Sequence, residues 1–157
     1  MNNFPYTGLT PDAFAVIDGN GDNQKLHGTA YFYKTPFGGT LVEIEVDGLP
    51  VKNSKSQSSF LGIHIHENGD CTPPFNQTGE HYNPYAAPHP DHAGDMPPLL
   101  VNSGYAYSVF YTERFKIADI NGRSVIIHDK ADEFSTQPSG NSGAKIACGI
   151  IKINEAG

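Results

Sequence analysis

A chain of 157 residues and 17.0 kDa is the size of one domain, and a hydrophobic share of 38% can supply one core. The net charge is −7 and no basic run occurs, which argues against nucleic acid as a partner because phosphate binding needs clustered cations. There is no long apolar stretch to make a membrane span, and 17 glycines with 12 prolines exceed the ordinary joint share of roughly 12%, so the composition points away from a helical bundle and towards a loop-rich globular fold.

Along the chain, Met1-Asn2-Asn3-Phe4-Pro5-Tyr6-Thr7 has neither a basic region nor an apolar run, so no secretory signal is expected there. Residues 1–11 read as an N-terminal extension of a single domain spanning 1–157. Short strands are expected at 13–18, 25–34, 40–47, 59–67, 104–112, 115–119, 123–129 and 145–153, from alternating or β-branched runs bounded by turn residues. In 40–47, Val42, Ile44 and Val46 point one way and Glu43 and Glu45 the other, the pattern of a half-buried antiparallel strand. Gly19-Asn20-Gly21-Asp22-Asn23, Pro36-Phe37-Gly38-Gly39 and Asn121-Gly122 supply turns. Eight antiparallel strands in this length imply an all-β Greek-key barrel or sandwich. Two stretches, 67–103 and 132–144, lack alternation and concentrate Pro, Gly, Asn and His; loops this long need something to hold them. Cys71 and Cys148 are either one disulfide or two free thiols.

Six of the seven histidines fall between 64 and 128: His64, His66, His81, His89, His92 and His128. Residues i and i+2 of a strand share a face, so His64 and His66 project together while Ile63 and Ile65 anchor the strand in the core. His128 ends the run Val125-Ile126-Ile127, on the face of Ile126. His89, His92 and Asp95 lie in the long loop and suit a closed tetrahedral site. Any one of these is ordinary surface chemistry on its own, and His27 is read as structural or surface. Together they point to metal: imidazole suits copper and zinc, and a carboxylate completing three histidines suits zinc. A bound ion also explains how a long loop without its own core is ordered.

These residues resemble the copper/zinc superoxide dismutases. Gly62-Ile63-His64-Ile65-His66-Glu67-Asn68-Gly69-Asp70-Cys71 is similar to that family's first signature, in the spacing of its bacterial members. Gly79-Glu80-His81-Tyr82-Asn83-Pro84 resembles the bridging-histidine segment, and His89 with His92-Ala93-Gly94-Asp95 the zinc loop. Gly122 to Asp132 resembles the last copper-ligand strand, and Gly140 to Gly149 the C-terminal signature. The resemblance runs from about Lys25 to Ile153.

It implies copper bound by His64, His66, His81 and His128, and zinc bound by His81, His89, His92 and Asp95, with His81 shared. It implies that Asp132 hydrogen-bonds a copper histidine and a zinc histidine, and that Cys71 and Cys148 form a disulfide. The implied activity is the disproportionation of superoxide to dioxygen and hydrogen peroxide by copper redox cycling, in which His81 carries a proton. Lys145 stands where the family usually carries an arginine that guides superoxide; lysine keeps the charge and loses the planar fork. Glu80 replaces a small residue and is expected to face solvent. Only Pro90 and Asp91 separate His89 from His92, fewer than in most relatives, although Pro88 and Pro90 stiffen what remains. The alternatives weighed are a copper- and zinc-binding domain for storage or delivery, and a structural zinc-stabilised β-domain; the full copper set and the shared His81 favour the enzyme. Family members include monomers and dimers, and a homodimer is the expectation here. A cytoplasmic location is expected, with export of a trimmed form as the alternative.

Overall fold

The computed structural model of the chain describes residues 7–51 and 59–155; the first six residues of the N-terminal extension lie outside these. Its strands are β1 (Ala13–Gly19), β2 (His27–Lys34), β3 (Thr40–Asp47), β4 (Phe60–Leu61), β5 (Ile63–His66), β6 (Leu99–Leu100), β7 (Ala106–Thr112), β8 (Ser124–His128) and β9 (Lys145–Ile153), with one helical turn, α1 (Ile117–Ile120). Seven form a curled antiparallel sheet in the order β5-β8-β9-β1-β2-β3-β7, and β4 pairs with β6. The chain meanders through β1, β2 and β3, crosses to the far edge at β5, and returns to put β7 beside β3. It then crosses again to put β8 beside β5 and β9 beside β1, as a Greek key requires.

Alternation builds the core from one face of each strand. Ala13, Ala15 and Ile17 of β1, Ala30 and Phe32 of β2, Val42, Ile44 and Val46 of β3, Ile63 and Ile65 of β5, and Val125 and Ile127 of β8 form one buried cluster. Phe32 is fully buried and meets Phe115 edge-on at 6.3 Å; its burial contributes about 2 kcal/mol.

Two expectations need correction. Residues 115–119 are not a strand: Ile117 and Ile120, three apart, both enter the core from α1. The turn is closed by the Asp119 carboxylate accepting from the Lys116 amide at 2.9 Å. Strand β3 is buried on both faces, with Glu43 and Glu45 only 1% and 5% exposed. The tyrosines of neighbouring strands explain it. Tyr33 and Tyr107 donate to Glu43 at 2.8 and 2.7 Å, and Tyr105 donates to Glu45 at 3.2 Å, so the carboxylates are covered and hydrogen-bonded together.

The long loop is held by backbone pairing and a disulfide. It lies along the free edge of β5, where Glu67 N donates to Glu80 O (3.0 Å), Tyr82 N to Ile65 O (2.8 Å) and Ile65 N to Gly94 O (2.8 Å). This covers an edge that would otherwise present unpaired backbone groups. Gly94 permits the approach, since a Cβ there would stand 2.3 Å from Ile65 O. Cys71 and Cys148 form a disulfide that ties the start of the loop to β9 across a sequence separation of 77.

Candidate metal centre

Strand pleat and one irregularity assemble the first cluster. His64 and His66 leave β5 on the face opposite Ile63 and Ile65. Strand β8 pairs with β5, and the β8–β9 register shifts between Ile127 and His128, a bulge of the kind that re-aims a side chain. The loop edge then brings His81 opposite His66 and Asp95 opposite His64. The ligand atoms of His64, His66, His81 and His128 lie within 4.8 Å of one another, as do those of His81, His89, His92 and Asp95. His81 belongs to both sets.

Hydrogen-bond partners decide which nitrogen of each ring is free. Asp132 is 2.6 Å from Nε2 of both His64 and His89. An ionised carboxylate only accepts, so these two nitrogens carry the protons and each Nδ1 keeps a lone pair. The carbonyl of Gly79 accepts from His66 Nδ1 at 2.9 Å and that of Gly143 from His128 Nδ1 at 3.2 Å, which leaves each Nε2 unprotonated. Those two Nε2 atoms face each other at 3.3 Å. Gly140, with φ at +77°, makes room for the Asp132 bridge, because a Cβ there would meet both Asp132 and His89.

Three buried nitrogens, His64 Nδ1, His81 Nε2 and His89 Nδ1, have no hydrogen-bond partner among the described residues. An unsatisfied buried polar atom costs about 1–3 kcal/mol. His89 Nδ1 is 3.0 Å from an Asp95 oxygen but lacks hydrogen-bond alignment, as expected when two lone pairs aim at a common point. A cation in each cluster would satisfy all three. Four imidazoles suit copper, and three imidazoles with a carboxylate suit zinc. Burial, reinforced by the neighbouring imidazoles, holds His64 and His66 well below the usual histidine range, and burial brings His128 down to about 4. The rings are therefore neutral at physiological pH, the state in which they ligate. Burial raises the Asp95 carboxyl, but the His81 hydrogen bond and the surrounding imidazoles outweigh it and keep the group ionised.

A model of the copper/zinc superoxide dismutase family matches residues 26–151. The chain is 36% identical to a superoxide dismutase [Cu-Zn] of Deinococcus radiodurans over 150 residues, covering 82% of this chain and 78% of that one. It is 35% identical to a superoxide dismutase-like protein, YojM, of Bacillus subtilis, with 71% of this chain and 67% of that one covered. Among solved structures, the clock protein EA4 superposes with a TM-score of 0.76 at 29% identity, over 94% of this chain and 98% of that one.

The chain belongs to the copper/zinc superoxide dismutase family.

Within that family fold, the remaining sequence-selected residues fall as follows. Lys145 is the cross-strand partner of His128. Its Nζ donates to Thr78 Oγ1 at 2.9 Å and to Gly79 O at 3.1 Å, the same carbonyl that orients His66. Burial lowers its pKa from the ordinary lysine value. Glu80 is exposed. His27 stays apart, half-exposed and 2.6 Å from Asp18. Sequence reasoning missed the orienting carbonyls of Gly79 and Gly143, which carry no residue signature. It also missed two residues that grip the loop backbone, Arg114 and Gln137.

Proposed function

We propose that this chain is a superoxide dismutase, with copper held by His64, His66, His81 and His128 and zinc held by His81, His89, His92 and Asp95. The observation that carries the reading is the double membership of His81. Its Nδ1 lies 2.8 Å from Asp95 and 3.2 Å from His92 Nδ1, while its unpartnered Nε2 belongs with His64, His66 and His128. A storage or delivery domain has no use for a ligand common to two ions.

Bound copper supplies the one-electron acceptor and donor by which two superoxide anions and two protons become one dioxygen and one hydrogen peroxide. The chain supplies the rest. His81 is held from its Nδ1 side, so its Nε2 is the atom placed to carry a proton to the reduced oxygen. Asp132 locks His64 and His89 into one orientation, coupling the two clusters through a carboxylate rather than through solvent. Lys145 donates to Thr78 Oγ1 and Gly79 O and, at the longer distance of 3.5 Å, to Phe75 O, and this weakest bond is the one an incoming anion would replace. Superoxide consumption by protein reconstituted with copper and zinc tests the reading. Rapid turnover is expected, and fully loaded protein without turnover would establish storage or delivery instead.

A further inference from the structure

The loop that carries His89 and His92 has only two residues between them, yet its backbone is gripped from two sides. From the end of β7, Arg114 Nη1 donates to Pro90 O at 2.6 Å and reaches His92 O at 3.4 Å, while Nη2 lies 3.1 Å from the Asp91 carboxylate. From the other long loop, Gln137 pairs with His89 as a neighbouring strand would. Its Oε1 accepts from His89 N at 3.0 Å and its Nε2 donates to His89 O at 2.7 Å. His89 itself is only 2% exposed.

These contacts fix main-chain position, and the Asp132 and Asp95 contacts fix the ring. A two-residue spacer cannot set the separation of its flanking ligands by packing, because Pro90 is half-buried and Asp91 is exposed. The Arg114–Asp91 ion pair is exposed, with side chains 40% and 64% accessible, and adds little on its own. The bonds to Pro90 O and to both backbone groups of His89 are the ones that hold the ligands.

We propose that Arg114 and Gln137 are positioning residues that clamp the shortened loop and thereby set how tightly this chain retains zinc. The proposal rests on the zinc assignment above. Gln137 also makes the loop at 132–144 a holder of the zinc side, so displacing that loop loosens His89 at its backbone as well as at Asp132.

The test is zinc release from the copper- and zinc-loaded protein into a chromogenic chelator, for wild type, Gln137→Ala, Gln137→Glu and Arg114→Gln. The visible spectrum of cobalt at the zinc site reports ligand geometry, and the thermal midpoint of the metal-free protein reports the fold. Gln137→Ala and Arg114→Gln should each release zinc roughly 10–100-fold faster, the usual cost of losing a ligand-supporting contact. Their cobalt spectra should change, and their metal-free midpoints should move little. Gln137→Glu keeps the acceptor for His89 N and loses the donor to His89 O, so it should fall between. Unchanged release in both Gln137→Ala and Arg114→Gln overturns the clamp, as does a loss of metal-free stability large enough to account for the faster release. A wild-type chain that takes up no zinc overturns the zinc assignment, and the clamp with it.

Discussion

Lys145 shows how one residue's surroundings set a pH response. Its ammonium is partly buried against Thr78 and Gly79, and burial lowers its pKa because the charged form is the one that loses hydration. An anion is attracted only while the lysine is protonated. The attraction is complete below the lowered pKa and fades as pH rises through it, so the superoxide rate should decline in the alkaline range earlier than an ordinary lysine would impose. Lys145→Arg should push that decline to higher pH, since a guanidinium does not titrate there, and should raise the rate at low salt. Rate profiles of the two proteins decide it; superimposable profiles would remove Lys145 from anion guidance. Lys145 was singled out only through the family resemblance, whereas the His and Asp clusters were legible in the sequence because ligand chemistry names its residues: His-x-His on a strand and His/His/Asp in a loop announce themselves. What orients those ligands was not legible. Gly79 and Gly143 act through carbonyl oxygens that every residue possesses, and Gln137 acts by imitating a peptide group.

Among the elements, β3, with its alternation, and β9, with its β-branched run, could be placed to the residue at both ends. The error at 115–119 is one of period. Phe115 and Ile117 alternate as in a strand, while Ile117 and Ile120 repeat as in a helix, and the Asp119 cap decides between the two. The buried face of β3 was illegible for a different reason. Glu43 and Glu45 are polar, and the donors that the fold brings to them from Thr7, Tyr33, Tyr105 and Tyr107 make their burial affordable. The long loop was visible as a gap in pattern, but its backbone pairing with β5 is a long-range contact that no local signal carries. Its first part depends on the disulfide, because Phe75 packs with Cys71, Cys148 and Ile126 in a small cluster separate from the main core. Replacing Cys71 and Cys148 together by serine should cost about 2–5 kcal/mol. Urea unfolding of the metal-free protein measures that loss, and hydrogen exchange should rise first between Cys71 and Thr78. An unchanged unfolding midpoint would show that the backbone pairing along β5 holds the loop alone.

At the scale of the molecule, a net charge of −7 would repel the anionic substrate proposed above, whereas Lys145, the cross-strand partner of His128, would attract it. Distance decides between them. Charges farther apart than a Debye length of about 8 Å are largely screened at physiological salt. A single cation about 6 Å from an anion, at an effective dielectric near 20, is worth roughly 3 kcal/mol before screening. The local cation should therefore dominate, and the rate should fall as ionic strength rises. Glu80 opposes it, since its charge is felt at Lys145 from the exposed side of the loop. Glu80→Gln should therefore raise the low-salt rate and steepen its salt dependence. Lys145→Ala should lower the low-salt rate roughly tenfold, within the range of electrostatic steering. It should also flatten or reverse the salt dependence, because only the repulsive background then remains for salt to screen. Rates measured from low to physiological ionic strength in the three proteins separate the two fields. A wild-type rate that rises with salt would mean that the global acidic charge governs approach, and that Lys145 is too heavily committed to Thr78 and Gly79 to guide anything.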